Sequence, residues 1–110
     1  MSERRRRVAE NEALFREVNE RIESLNHDLR GTGRMLQIVC ECGDTGCIER
    51  IAVPAGHYGD VRGHPARFLL VTGHEQLEVE QVVSVFGAYE VVEKTAPIGR
   101  EVAEETDPRG

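Results

Sequence analysis

The sequence predicts an α+β fold with a long N-terminal amphipathic helix, a small and mainly antiparallel sheet, and a β-hairpin whose tip carries cysteines. Three observations lead to this prediction. Apolar residues recur every three or four positions between Glu10 and Leu29, which is the period of an α-helix. Short runs rich in valine, isoleucine and leucine follow, bounded by glycine and proline, as is typical of strands. All three cysteines lie between two of these runs, within the eight residues from Cys40 to Cys47.

The N-terminal helix has one apolar and one charged face. We expect the apolar stripe to pack on the protein's own sheet, with pairing to a second copy or docking of a partner protein as the alternative. On the charged face, Glu12 with Arg16 and Glu17 with Arg21 have the four-residue spacing of helical ion pairs. The apolar stripe consists of Leu14, Phe15, Val18, Ile22, Leu25 and Leu29.

Four strands are expected after the helix, and the first two should form a hairpin with the cysteine loop at its tip. Pro54 can begin a short helix, which two internal glycines weaken. Residues 76–85 fit either a short helix or an extended run, and we favour the helix. In chain order, the predicted strands cover residues 35–40, 48–53, 66–71 and 89–94.

The cysteine loop is a candidate metal site. Thiolates bind metal ions, and Gly43 and Gly46 permit the turns that would direct three sulfurs toward one point. Packing in the core does not explain these cysteines, because their Gly/Asp/Thr surroundings do not require small apolar residues. Thiol redox chemistry is the alternative, and the odd cysteine count argues against a disulfide framework.

Three sulfurs need a fourth ligand to complete a tetrahedral zinc site, and we expect it to be a histidine. His74 follows a predicted strand and a glycine that lets the backbone approach closely. His57 and His64 stay open as alternatives, whereas His27 is expected to face solvent. Iron–sulfur clusters require four cysteines, or two cysteines with two histidines, so Zn²⁺ is the favoured cofactor. The predicted metal ligands are Cys40, Cys42, Cys47 and His74.

Charge and composition set the expected domain limits. The 110 residues contain no tryptophan, so the core should be lean and should benefit from a structural metal. The net charge is −6, and residues 75–110 hold nine acidic against three basic side chains. We expect a disordered basic start at residues 1–9, a single zinc-stabilised α+β domain at 10–96 and an acidic flexible tail at 97–110.

No run of residues approaches the roughly 18 apolar positions of a membrane span, and the N-terminus lacks the apolar segment of a signal peptide. We therefore expect a cytoplasmic protein that does not bind membranes, in a reducing compartment that keeps thiols available. The basic run Arg4–Arg7 is short for nucleic-acid binding, so the expected partner is another protein.

Five further segments are informative when taken together: Asn11–Ile22, Cys40–Gly43 with Cys47, Arg67-Phe68, Gly73-His74-Glu75 and Val91–Lys94. They resemble a group of small uncharacterised actinobacterial proteins, whose common feature is a Cys-x-Cys-Gly-x-x-x-Cys loop followed later by Gly-His-Glu. The resemblance spans most of the chain, and it implies a stand-alone cytoplasmic protein without implying an activity.

These observations predict a small zinc-binding protein with a structural site, acting as an interaction or regulatory module. The alternatives are a thiol-based redox or metal sensor and a zinc-dependent enzyme. In an enzyme, Asp44 or Glu75 would act as general base on a zinc-bound water. A thiolate-rich closed shell disfavours catalysis, and the sequence has neither a His-Glu-x-x-His motif nor a deaminase signature.

Overall fold

The computed structural model describes residues 2–44 and 46–109, with all of their side chains except those of Ser2 and Arg4. Within these residues the predicted α+β class is confirmed, with three α-helices and five strands. The strands form two small antiparallel sheets, whereas one sheet was predicted. No helix in the described part of the chain is both long and apolar enough to cross a membrane.

Helix α1 runs over Ser2–Leu25 and is followed by a 3-10 turn at His27–Leu29. The prediction of a disordered start at residues 1–9 is therefore wrong from Ser2 onward, and Met1 lies outside the described residues. Arginine, glutamate and alanine are good helix formers, and extending an existing helix avoids the cost of nucleation. The helix thus begins eight residues before the predicted start at Glu10.

The face that α1 buries is its polar face. Arg16 donates hydrogen bonds to the backbone oxygens of Pro65 and Ala103, at 2.6 and 2.8 Å. Asn19 both donates to and accepts from the backbone of Val39, at 2.8 Å in each case. These bonds satisfy backbone groups that would otherwise be buried without partners. The buried residues of this face are Ala9, Glu12, Ala13, Arg16, Asn19 and Glu23.

The predicted packing of the apolar stripe on the protein's own sheet is consequently wrong for three of its six residues. Leu14, Val18 and Leu25 are exposed, while Ile22 and Leu29 contact the core only in part. A helix that buries its polar face must turn its opposite face outward. The two expected ion pairs along the helix are also not formed among the described residues. Glu12 and Arg16 have their partners in other elements, and Glu17 does not pair with Arg21.

The predicted hairpin is confirmed. Strands β1 (Met35–Val39) and β2 (Arg50–Pro54) pair antiparallel, with Ile38 opposite Ile51. Burial alternates along both strands, so one face of the hairpin lies on the core. Residues 40–49 form the tip, as expected.

The second sheet has the order β3–β5–β4, built from β3 (Arg67–Val71), β4 (Glu80–Val85) and β5 (Tyr89–Lys94). Helix α2 (His57–Val61) precedes it and matches the short helix predicted after Pro54. The preferred helix at residues 76–85 is wrong, since β4 occupies most of that segment. Three of its six residues are valines, whose branched side chains favour an extended backbone paired with β5.

A lysine triad, consisting of Glu12, Glu80 and Lys94, joins α1 to the second sheet. Lys94 Nζ lies 2.9 Å from a carboxylate oxygen of Glu12 and 2.9 Å from one of Glu80. All three side chains are buried. Burial is the main reason that the pKa of Glu12 is raised to about 8. One ammonium thus faces two carboxyl groups, and burial favours the protonated form of Glu12 at neutral pH.

Residues 97–105 form helix α3 (Pro97–Glu105), which packs against α1. Val102 and Ala103 are buried, and Arg109 beyond the helix forms an ion pair with Glu20 at 2.7 Å. The prediction of a flexible tail at 97–110 is therefore wrong for residues 97–109, and Gly110 lies outside the described residues. The buried side chains give this acidic segment an apolar face for α1 to cover.

Candidate metal centre

The cysteine loop begins as a continuation of the hairpin. The N–H of Cys40 donates to the backbone oxygen of Glu49 at 3.1 Å, one residue beyond each strand. The chain then turns at Gly43, whose φ of +79° lies in the left-handed region that favours glycine. Asn11 of α1 donates to the backbone oxygen of Gly43 at 3.2 Å, so the turn lies directly on the helix.

Asp44 organises the second turn of the loop. Its backbone oxygen accepts from the N–H of Cys47 at 2.9 Å, and its carboxylate accepts from the N–H of Gly46 at 2.9 Å. This arrangement brings Cys47 back toward the hairpin. Gly46 has no positive φ, so the expected need for glycine is confirmed at Gly43 alone.

His74 reaches the loop from the end of β3. After Val71 the chain makes a tight turn in which the N–H of His74 donates to the backbone oxygen of Val71 at 3.0 Å. Gly73 in this turn has a φ of +96°. The turn places the imidazole against the hairpin tip, on the side of Cys40 and Cys47.

The structure brings together the four residues predicted as ligands. We call Cys40, Cys42, Cys47 and His74 the thiol–imidazole cluster; their ligand atoms all lie within 4.8 Å of one another. Nδ1 of His74 is 3.6 Å from Sγ of Cys40 and 3.8 Å from Sγ of Cys47. Cys40 and Cys42 are buried, and Cys47 is partly exposed. Three thiols and one imidazole at these distances are close enough to hold a metal ion.

The three thiols differ in acidity. A hydrogen bond from Cys40 lowers the pKa of Cys42 to about 5, and the same bond, together with burial, raises the pKa of Cys40. Burial is the main cause that raises the pKa of Cys47. A metal ion would therefore meet one thiolate at neutral pH and displace protons from two thiols.

The cluster also lies on the free edge of the second sheet. Strand β3 is an edge strand, and its outer backbone groups are met by the residues that follow β1. The N–H of Glu41 donates to the backbone oxygen of Leu69 at 2.9 Å. The N–H of Val71 donates to Sγ of Cys40 at 3.2 Å, and hydrogen bonds of this kind stabilise a thiolate. The hairpin tip and β3 are thus joined by one hydrogen bond between backbone groups and by one from a backbone N–H to a sulfur.

Glu41, between two of the cysteines, is a residue that the sequence analysis missed. It is fully buried, and its carboxylate accepts from the Leu69 N–H at 3.0 Å, from Asn19 Nδ2 at 2.8 Å and from the Tyr58 hydroxyl at 2.8 Å. Burial raises the pKa of this carboxyl, while Arg62 and these hydrogen bonds lower it. The carboxylate therefore ties the loop to α1, α2 and β3 at once.

A signal for Glu41 is present in the Cys-x-Cys spacing. In an extended backbone, alternate side chains point to opposite sides, so two cysteines that face a metal direct the residue between them to the other side. On an element that lies on a core, that other side is the interior. A glutamate there needs donors, which Asn19 and Tyr58 supply.

The other histidines lie elsewhere. His57 is 2.8 Å from the Tyr89 hydroxyl and packs edge-on against the Phe86 ring, with centroids 4.7 Å apart. His64 and His27 are exposed, as was expected for His27. The described residues therefore contain no second histidine in the cluster, and His74, rather than His57 or His64, lies beside the three cysteines.

Glu75, which follows His74, is engaged with a second carboxyl group. Burial, followed by a hydrogen bond that Glu90 donates to Glu75, raises the pKa of Glu90 to about 7, and the same bond lowers the pKa of Glu75. The Gly73 N–H also donates to Glu90 at 3.4 Å. Glu75 thus contacts a neighbouring carboxyl, and its role as a general base stays a prediction.

Comparisons of the chain with protein-family models, with curated proteins and with solved structures find no match.

Proposed function

We propose that this chain is a small zinc-binding protein whose structural Cys3His site fastens the hairpin tip to the end of β3. The observation that carries the proposal is the distance between His74 Nδ1 and the sulfurs of Cys40 and Cys47, 3.6 and 3.8 Å. Zinc bonds of about 2.3 Å to sulfur and about 2.0–2.1 Å to nitrogen, at a tetrahedral angle, require a sulfur–nitrogen separation of about 3.6 Å. The imidazole nitrogen is therefore at the separation from these two sulfurs that one shared zinc ion requires.

Two features favour a structural rather than a catalytic zinc. Four protein ligands complete the tetrahedron and leave no position for a water or substrate, which a catalytic site keeps open. The ligands also come from two elements far apart in sequence, the hairpin tip and the turn after β3. Zinc bound there would cross-link the two sheets, and its binding free energy would contribute to folding.

We further propose that the folded domain acts as an interaction or regulatory module in the cytoplasm. Support for an interaction role comes from apolar side chains that the domain leaves exposed, among them Leu14 and Ile48. Such side chains are candidates for contact with a protein partner. Reduced thiols at a zinc site are typical of reducing compartments, which supports the cytoplasmic location.

The direct test is the metal content of the purified protein, measured by elemental analysis and by native mass spectrometry. We expect one zinc per chain in the wild type. His74→Ala should lower the zinc affinity, because it removes one of the four ligands. His57→Ala is the matched control, since His57 contacts Tyr89 rather than the cluster, and it should keep its zinc. Wild-type protein without zinc would overturn the proposal.

A thiol-based sensor is the second candidate, and the partial exposure of Cys47 favours it. A peroxide can oxidise two of the thiolates to a disulfide, taking up two electrons and two protons to form two molecules of water, and the remaining two ligands would release the zinc. A sensor should release zinc with about one equivalent of peroxide. Zinc that is retained under a large excess of peroxide would exclude this role.

A further inference from the structure

The outward face of α1 has the pattern of a helix–helix seam. Leu14, Val18, Arg21 and Leu25 follow one another at spacings of four, three and four residues, and they lie opposite the buried polar face. The relative exposures of Leu14, Val18 and Leu25 are 60%, 42% and 83%. We call these four residues the α1 seam. The described part of the chain does not cover it.

Open space adjoins the seam on two sides. One cavity of about 300 Å³ is lined by Leu14, Glu17, Val18 and Arg21. A second, of about 310 Å³, extends from Val18 to Ile48 on the metal loop, which is 90% exposed. Val18 lines both cavities, so the apolar surface is continuous from the seam to the hairpin tip. Side chains of a second helix would have room on either side of Val18.

The charged residues beside the seam favour a second copy of this chain as the binding partner. Glu17 and Arg21 are both exposed and form no ion pair within the described residues. A two-fold interface requires a surface that is complementary to itself. If two α1 helices pair antiparallel, with the axis between positions 18 and 21, Leu14 is level with Leu25 of the second copy. Glu17 then lies within about one residue of Arg21 of the second copy, a helical rise of about 1.5 Å.

The geometry points to a homodimer in which the α1 seams of two copies pack antiparallel about this axis. Leu14 of each copy then contacts Leu25 of the other copy, and two ion pairs between Glu17 and Arg21 of different copies lie beside these apolar contacts. Ile48 and the exposed side of Cys47 lie at the border of the interface through the shared cavity. The proposal does not depend on which metal the cluster binds.

The test is the molar mass of the full chain, with its zinc content measured, by sedimentation equilibrium from about 1 to about 200 µM. We expect a reversible dimer. Val18→Glu, in the centre of the seam, should weaken self-association by about ten-fold or more. Leu77→Glu is the control, because Leu77 is 72% exposed, lies before β4 and makes the same change of charge. Circular dichroism checks that both variants fold.

A charge exchange makes the test specific for a second copy. Glu17→Arg alone should weaken the dimer, because it sets two positive charges against each other across the interface. Adding Arg21→Glu to that variant should restore association, since each introduced positive charge would then face an introduced negative charge on the second copy.

Three outcomes would overturn the proposal. The first is a monomer at every concentration, which would mean that a different protein covers the seam. The second is an equal loss of self-association in Val18→Glu and Leu77→Glu, and the third is a charge-exchanged variant that does not regain association.

Discussion

The thiol–imidazole cluster and the lysine triad are two groups of polar side chains that bring together elements distant in sequence. The triad is buried, whereas the cluster is buried at Cys40 and Cys42 and partly exposed at Cys47 and His74. The triad joins α1 to β4 and β5 through the ammonium of Lys94, a cation that the chain itself supplies. The cluster joins the hairpin tip to the end of β3 and has only donor atoms. One junction is therefore complete after folding, and the other would be completed by the zinc ion proposed above.

The difference shows how a lean core can be supplemented. The apolar core consists mainly of Leu, Ile and Val from the two sheets, with Tyr58 and Phe68 as its most deeply buried aromatic side chains. The two junctions add polar links to this core, which itself includes Cys40 and Cys42. We expect each junction to lose its stabilising effect under a different condition. Chelation or oxidation should weaken the cluster, whereas removal of the Lys94 ammonium or a change of pH should weaken the triad.

The largest effect is expected at the cluster. Cys42→Ser should abolish zinc binding and unfold the protein or strongly destabilise it, because structural zinc contributes about 10–16 kcal/mol in small zinc-finger peptides. Thermal unfolding followed by circular dichroism, with zinc content measured on the same samples, provides the test. A chelator added to the wild type should cause a similar loss without any substitution. Unchanged melting in both experiments would show that the cluster does not hold a structural metal.

The next largest effect is expected at the triad. Lys94→Met leaves two buried carboxyl groups without their cation, which should lower the free energy of unfolding by about 3–5 kcal/mol. Denaturant unfolding measures the change, and the zinc content should stay at that of the wild type. Combining Lys94→Met with Glu12→Gln and Glu80→Gln should recover part of the loss. If the single variant also lost its zinc, the two junctions would not be independent.

A pH titration separates the two junctions further. The pKa of Glu12 is about 8 in the folded protein against an ordinary value of 4.5, so the folded state holds its proton more tightly. The stability that this tighter proton binding contributes is fully present below pH 4.5, and it is lost as the pH rises through about 8. Within this window the loss is at most about 1.4 kcal/mol per pH unit.

Glu12→Gln removes this titration, so the variant should gain stability relative to the wild type between about pH 6 and about pH 9. Paired denaturant curves at three pH values test the expectation. Parallel pH profiles for the two proteins would mean that Glu12 does not titrate in this range.

The smallest effect is expected where the two junctions meet. A Cβ added at Gly43 would lie 2.9 Å from Glu12 Cγ and 2.9 Å from the backbone oxygen of Val8. Gly33 is a matched control, since its φ is +78° against +79° at Gly43 and its Cβ would meet nothing within 4 Å. Gly33→Ala should cost about 1 kcal/mol for backbone strain alone, and Gly43→Ala about 1–3 kcal/mol more. Equal melting temperatures would mean that the loop can shift away from α1.

The sequence predicts the members of the cluster better than their surroundings. The three cysteines are recognisable because a Gly/Asp loop gives them no reason to be buried except as ligands. The choice of His74 followed from its position after a strand and a glycine, both of which the structure contains. Glu41 was missed because a charged residue in a loop is usually solvated, and its burial depends on donors from α1 and α2.

The orientation of α1 could not be predicted from periodicity alone. A hydrophobic stripe shows which face would gain from burial, but Arg16 and Asn19 obtain partners only when their own face is inside. Those partners are backbone groups of β1 and of the segments around β3 and α3, which the sequence does not identify. The wrong preference for a helix at residues 76–85 and the missed helix α3 have a related reason. Each of the two elements depends on the element that it packs against, β5 for the strand β4 and α1 for the helix α3.

The cover that residues 40 and 41 provide for β3 has a consequence for solubility. Strand edges with free N–H and C=O groups recruit further strands, and proteins generally protect them. The segment Phe68-Leu69-Leu70-Val71 is entirely apolar. On its outer edge, the N–H of Leu69 donates to the Glu41 carboxylate and the N–H of Val71 donates to the sulfur of Cys40. If the hairpin tip detached, this edge would become a template for strand addition. Loss of the proposed zinc should therefore lead to aggregation, and the cluster would protect the protein against fibril-like association.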